Sequence, residues 1–271
     1  MHAPDIEPFE LLAIQYARHT GRRPHENYMG HVDLHDAASD LAYYVWVARR
    51  GGETYVIDTG FDEAAAVKRG RELMMPVHEG LARVSIDVAA VEDVILTHLH
   101  YDHAGTLEQF ASARFHIQDA ESAYATGRFM SHAAMRAPYD VEDVVTFVRN
   151  VYGGRVVFHQ GDAELVPGLS LHWVGGHTAG LQVVRVWTRR GWVVVASDAS
   201  HLYGNMQHGV PFPIVHNVGE MLEGHRRVLA LADSADHVIP GHDPLVMERY
   251  PAYSAHCDGW VVRLDADPVH A

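Results

Sequence analysis

Hydrophobic residues recur along the chain in short runs rich in β-branched and aromatic side chains: Leu41–Ala48, Thr54–Ile57, Val94–Thr97, Arg114–Ile117, Val156–Phe158, Leu169–Val174, Leu181–Thr188, Trp192–Ala196 and His237–Ile239. Such runs predict buried strands. Another period governs Val218, Met221, Leu222, His225, Val228, Leu229 and Ala232, whose spacing places them on one helix face. Asn217 ahead of it and Glu220 beyond read as a capping box, so a helix is expected to begin there and lay that face on a sheet. Gly51-Gly52, Gly153-Gly154, Gly161-Asp162, Pro167-Gly168 and Gly175-Gly176 supply turns, and Arg189–Gly191 turns Leu181–Thr188 back into Trp192–Ala196 as a hairpin. The expected class is mixed α/β with much antiparallel sheet. No repeat, low-complexity tract or linker divides the chain, so a single domain over 1–271 is expected. Arg22–Asp36 and Tyr124–Asn150 lack a clean strand period and read as insertions near a site entrance.

Composition narrows the partners. The 271 residues are 48% apolar and 21% charged, enough for a sizeable core. Lys plus Arg number 21 against 35 Asp plus Glu, and the net charge of −14 repels phosphate backbones and anionic headgroups. No nucleic acid and no membrane partner is expected. The longest apolar runs are about eight residues, far short of the ~20 that cross a bilayer. The opening MHAPDIEPFELLAIQYARH lacks the basic flank of a secretory signal. A lone Cys257 excludes an internal disulfide and a zinc-thiolate cluster and suits a reducing compartment, so a cytoplasmic location is expected.

The chain holds 22 histidines, and their placement carries the chemistry. An apolar strand ends at Thr97 and delivers His98 and His100, whose alternation puts both imidazoles on one face, with Asp102 and His103 following at a turn. Such a dense nitrogen and oxygen set suits zinc first, with iron, manganese or cobalt as alternatives. The same grammar, a strand followed at once by a ligand residue, recurs as Leu169–Val174 then His177, Trp192–Ala196 then Asp198, and Val238-Ile239-Pro240-Gly241 then His242. Together these seven residues suffice for two metals sharing one carboxylate. By contrast His116, His159, His172 and His237 lie within or beside strands and read as packed imidazoles. His132, His208 and His216 fall in segments that could line a mouth.

The series His98, His100, Asp102, His103, His177, Asp198, His242 resembles the HxHxDH, His, Asp, His pattern of metallo-β-lactamase-fold hydrolases. Ile57-Asp58-Thr59-Gly60 and Gly176-His177-Thr178-Ala179-Gly180 extend the likeness to roughly residues 40 to 245. The resemblance implies an αββα sandwich in which His98, His100 and His177 hold one divalent ion, Asp102, His103 and His242 another, and Asp198 bridges them. Flavodiiron-type oxidoreductases carry Glu in the place of His100, true metallo-β-lactamases lack the bridging aspartate, and nucleic-acid members clash with the acidic charge. The segment around His98–Gly105 and Ser197-Asp198-Ala199-Ser200 look most like the N-acyl homoserine lactone lactonase group.

That likeness implies a small lactone or ester substrate, with a second copy of the chain in a homodimer as the one macromolecular partner allowed. A water held and acidified between the metals would attack the ester carbonyl, and Asp102 would relay a proton. The group carries a tyrosine three residues after the bridging aspartate, where this chain has His201, with Tyr203 two further on. Tyr203 is the first candidate for the oxygen donor and His201 its rival. A glyoxalase II-like thioester hydrolase and a mononuclear-iron oxidoreductase on the same fold are the alternative activities.

Overall fold

The computed structural model describes residues 6–30 and 40–269. In chain order its first strands are β1 (Glu10–His19), β2 (Leu41–Arg50), β3 (Glu53–Ile57), β4 (Glu72–Leu73), β5 (Asp93–Ile95), β6 (Arg114–Gln118) and β7 (Val156–His159). Five more follow: β8 (Ala163–Val166), β9 (Leu169–Trp173), β10 (Gln182–Thr188), β11 (Gly191–Ser197) and β12 (Val238–Pro240). These five form one sheet in the order β12-β11-β10-β9-β8. The last strand, β13 (Val261–Arg263), returns to the other sheet, ordered β13-β1-β2-β3-β5-β6-β7 with β4 on β1.

Alternate residues of single strands enter different cores. In β1 and β2, Leu11, Ala13, Tyr44 and Trp46 join Leu171, Val184, Val193 and Val195 between the sheets. Leu12, Ile14, Val45 and Val47 face the other way, against Ala66, Leu81 and Phe147 of the helices Glu63–Arg69, Val77–Arg83 and Val141–Tyr152. On the far side of the second sheet Val183, Val194 and Ala196 pack on Val228 of the helix Val218–Leu231. The layers run helix, sheet, sheet, helix, the expected αββα sandwich. Burial on both faces is why these strands read as continuous apolar runs.

Several expectations change in detail. Glu10–His19 lies outside the runs named from the sequence; its Glu, Leu, Ala, Gln and Arg are helix formers, and pairing with β2 on one side and β13 on the other makes it a strand. The run expected over Val94–Thr97 leaves the sheet after Ile95, because the Thr97 amide donates to Asp58 Oδ1 at 2.7 Å rather than to a strand. The Asn217 cap forms, accepting from the Glu220 amide at 3.2 Å. Val218 and Leu229, expected on the packed face of that helix, are exposed, because only the strip from Met221 through Gly224 and His225 to Val228 reaches the sheet. Between β3 and β7 the pairing is parallel, as it is between β11 and β12. Carboxyl ends of parallel strands gather loops at one edge, and there β3, β5, β11 and β12 deliver Asp58, His98, Asp198 and His242.

Candidate metal centre

The seven expected ligand residues come together, all of them buried. His98 Nε2 lies 3.0 Å and His177 Nε2 2.9 Å from His100 Nδ1. Hydrogen bonds on the far sides of the rings fix what these nitrogens offer. A backbone carbonyl can only accept, so His177 Nδ1 donates to the Ile214 carbonyl at 2.7 Å and His242 Nδ1 to the Ala42 carbonyl at 2.9 Å. His103 Nδ1 donates likewise to Asp58 Oδ2 at 2.7 Å. The Thr97 hydroxyl donates to Asp58 Oδ2 at 2.8 Å and so accepts from His98 Nδ1 at 3.1 Å. Each of these four rings therefore aims an Nε2 lone pair inward, the tautomer that a metal requires.

Asp198 faces both groups. Its Oδ2 lies 3.1 Å from His177 Nε2 and 3.7 Å from His98 Nε2, while Oδ1 lies 2.9 Å from His242 Nε2 and 3.3 Å from His103 Nε2. Asp102 Oδ2 completes the second group at 3.8 Å from the Nε2 atoms of both His103 and His242. Such spacings suit ligands around ions with metal-to-nitrogen distances near ~2.1 Å. His103 Nε2 and Asp198 Oδ1 are buried with no hydrogen-bond partner among the described residues, an arrangement that costs stability unless something else satisfies them. The donor set therefore fits a pair of divalent cations.

Electrostatics divide the rings: burial lowers His103 and His242, but the Asp198 and Asp102 carboxylates outweigh it and raise both above the ordinary histidine range, so a cation at their Nε2 atoms has to displace protons. Burial, and then the neighbouring imidazoles, push His98 and His100 well below the ordinary histidine range, so both stay neutral. Burial alone would raise the Asp198 carboxyl, but His201, His242, His103 and His177 outweigh it and hold it well down.

Strain and close packing support the same edge. Asp58 and Ser197 adopt left-handed backbone, φ 61° and 46°, a cost of about 1–3 kcal/mol each that surrounding structure must hold. The Thr97 hydroxyl ties both, lying 2.9 Å from Ser197 Oγ as well as on Asp58. A Cβ at Gly241 would come within 2.8 Å of Asp198 Oδ1, so only glycine lets β12 deliver His242 beside that carboxylate.

A cavity of about 120 Å³ opens on the cluster, lined by His100, Asp102, His177, Asp198 and His242 and by residues of both expected insertions. Arg22 and Glu26 come from the first, whose last six residues, 31–36, lie outside the described residues; Pro138 comes from the second. The second insertion is largely helical, ending in the twelve-residue helix Val141–Tyr152. His201 is in the wall, its Nε2 3.1 Å from Asp198 Oδ2 and its ring stacked 3.7 Å from Phe212. Tyr203 is not brought there. Its ring lies under Arg249 at 4.2 Å in the core between the sheets, because its amide is held by Asp243 Oδ2 and the helix Tyr203–His208 starts at that point.

Other histidines take the packed roles expected. His116 bonds Asp93 and His159, His172 bonds Asp162, and His237 bonds the Arg190 carbonyl. Among the residues that could line a mouth, His216 packs on Tyr124 and Phe129.

Two supporting residues were not singled out from the sequence. Asp58 was part of a quoted motif without a role, although it obeys the same rule of a polar residue directly after a strand. Glu121 is fully buried and accepts from the Leu99 amide, the Tyr139 and Thr178 hydroxyls and the Gly180 amide. It joins the His98 loop, the His177 loop and Tyr139, whose ring stands 4.6 Å from that of His100. Nothing local in Asp119-Ala-Glu121 signals that role.

Comparison with known proteins decides the family. The model for the metallo-beta-lactamase superfamily matches residues 39–242. The chain belongs to this superfamily. Among curated members it is similar to the N-acyl homoserine lactonase AiiB of Agrobacterium fabrum, 30% identical over 190 residues, 67% of this chain and 66% of that protein. An N-acyl homoserine lactonase of Bacillus cereus is 32% identical over 120 residues, 44% of this chain and 42% of its own. The chain thus spans about two thirds or less of the length of these metallo-beta-lactamase relatives. Among solved structures, AidC, a dizinc quorum-quenching lactonase in complex with a hexanoyl homoserine product, shares the fold at TM-score 0.67 and 16% identity, covering 88% of this chain and 90% of its own.

Proposed function

We propose that the chain is a dinuclear-metal hydrolase that opens a lactone or related cyclic ester. The observation that carries this reading is the divided attention of Asp198, one oxygen toward His98 and His177 and the other toward His103 and His242. In this reading His98, His100 and His177 hold one ion, Asp102, His103 and His242 the other, and Asp198 both, with zinc as the metal of choice for such ligands. When bound, two such ions supply Lewis acidity and a water-derived nucleophile at neutral pH.

The chain's own residues then have distinct tasks. Asp58, Thr97 and the carbonyls of Ala42 and Ile214 hold the ligand rings in one tautomer and orientation. Asp102, on the cavity wall, receives a proton at its carboxylate and passes it toward the leaving ring oxygen. In this reading His201 in the cavity wall, rather than Tyr203 in the core, takes the hydrogen-bonding role toward the substrate oxygen, and for that its Nε2 has to leave Asp198 Oδ2, which it meets at 3.1 Å. Ring opening adds one water across the ester carbon–oxygen bond and yields a hydroxy acid with release of one proton. The names of the curated lactonase relatives support a lactone over a thioester.

Elemental analysis of metal-replete protein should give about two metals per chain, and a panel of lactones, thioesters, phosphodiesters and β-lactams should show lactone opening as the fastest reaction. One tight metal under those conditions would sink the dinuclear reading. A large preference for thioesters would move the activity to a glyoxalase II-like hydrolase.

A further inference from the structure

The cavity on the metal centre carries two guanidinium groups that the ligand set does not explain. Arg22 and Arg71 both line it, and among the described residues neither forms an ion pair with a carboxylate. Glu26, on the same wall, has its carboxylate on the Arg23 amide at 2.7 Å and is exposed. Arg22 is held at each guanidinium nitrogen and Arg71 at two of its three. Arg22 donates from Nε to Asn27 Oδ1 at 2.9 Å and from Nη2 to the Glu26 carbonyl at 2.8 Å. Arg71 donates from Nε to the Tyr101 hydroxyl at 3.1 Å and from Nη1 to the Arg69 carbonyl at 2.6 Å. Its Nη2 makes no hydrogen bond among the described residues. Tyr101 lies between His100 and Asp102 in the chain, so this arginine is tied directly to the ligand loop.

Between the two guanidiniums sits His19, at the end of β1. Its Nδ1 is 3.4 Å from Arg22 Nη1 and its Nε2 3.3 Å from Arg71 Nη1. Burial, then Arg71 and Arg22, push this imidazole down to about 4, so it is neutral at physiological pH. A neutral imidazole has one lone pair, and it can satisfy only one of the two donors. The result is a pair of like charges beside a cavity, with Glu26 acting on Arg22 and Asp102 on Arg71 from a distance but no carboxylate in direct ion-pair contact with either among the described residues. Half-buried cations in that state bind anions strongly, and the planar fork of arginine matches a carboxylate.

We propose that Arg22 and Arg71 form a subsite for a free carboxylate on the substrate. The molecule opened is then a compact lactone that bears a carboxylate besides the ring ester. This inference rests on the lactone-opening reading for its chemistry, while the anion subsite stands on the arginines alone. The small cavity, about 120 Å³ against the ~300–1,000 Å³ common for larger ligands, suits such a substrate better than a long acyl chain.

The test compares γ-butyrolactone-γ-carboxylate with its uncharged γ-carboxamide on metal-loaded enzyme, and measures glutarate binding by calorimetry. The carboxylate should be preferred in kcat/KM by roughly 10- to 100-fold, the usual worth of a charge-assisted hydrogen bond. Arg71→Met or Arg22→Met should bring the ratio toward one, with Arg71→Lys retaining part of it, and glutarate binding should weaken in the Met variants. If the carboxamide is opened as well as the carboxylate, and the Met variants leave the ratio unchanged, the subsite is overturned while lactone opening stands. If neither lactone is opened but glutarate binds and Arg71→Met abolishes the binding, the subsite stands and the reaction reading falls. A preference for lactones with a long neutral acyl chain, indifferent to both arginines, also overturns it.

Discussion

Two of the histidine and aspartate clusters among the described residues make an instructive pair, because one has the form of a metal centre and the other does not. In the peripheral one, His116 and His159 stack at 17° and His116 Nε2 meets Asp93 Oδ1 at 2.9 Å. Arg114 binds the same Asp93 carboxylate at 2.9 Å. That arginine neutralises the carboxylate and occupies the space a cation would need. The remaining His116 nitrogen is spent on His159 at 3.1 Å. At the sheet edge, by contrast, the outer ring nitrogens of His98, His103, His177 and His242 are held by a hydroxyl, a carboxylate and two carbonyls and leave their Nε2 atoms facing inward, and among the described residues no arginine or lysine pairs with Asp198. Residue types alone do not separate the clusters; the direction of the lone pairs and the absence of a resident cation do.

Breaking the contrast most sharply, His98→Ala should remove one metal equivalent in elemental analysis and lower lactone turnover by about a thousandfold or more, since the nucleophile depends on that ion. His116→Ala should leave both metals bound and alter stability by about 1 kcal/mol, the worth of its hydrogen bonds. Equal metal loss in both variants would erase the distinction. A smaller effect is expected from Asp58→Asn, which keeps the shape but removes the charge behind His103. Metal affinity, read by competition with a chelator, should fall about 10- to 100-fold; an unchanged affinity would show that the ring needs no orienting partner.

The smallest effect concerns pH. Burial, then His116, holds His159 below its ordinary range. A base with a depressed folded value binds fewer protons folded than unfolded, so its contribution is present above about 6.5 and is lost as pH falls below that. Because His159 is partly exposed, the size is a few tenths of a kcal/mol after solvent screening. The His159→Gln variant should flatten the decline in melting temperature between about pH 6.5 and 5, and a variant that leaves that slope untouched would place the sensitivity elsewhere.

What could be read in advance follows from how local each feature is. His98, His100, Asp102 and His103 lie within one strand end and its turn, and His177, Asp198 and His242 each repeat the rule of a ligand after an apolar strand, so spacing alone exposed them. The doubly buried strands were legible for the same reason. Glu10–His19 escaped because its residues favour helix and only its two neighbours make it a strand. Glu121, Arg22 and Arg71 escaped because each acts on segments far away in the chain, through contacts that no spacing records. The order Asp198, His201, Tyr203 left the oxygen donor open. The backbone turn that starts the helix at Tyr203 carries that side chain into the core and leaves His201 at the cavity.

The alternation of β11 between two cores has a consequence for how this architecture can vary. Val193 and Val195 face one core and Val194 and Ala196 the other, so the strand has a phase, which the left-handed Ser197 ends and from which it turns the chain to deliver Asp198. Inserting or deleting one residue anywhere in β11 would exchange the two cores and shift the Asp198 carboxylate relative to the histidines at the same time. A residue added in the segment 124–150, which gives Pro138 to the cavity wall, would by contrast leave the register of β11 untouched.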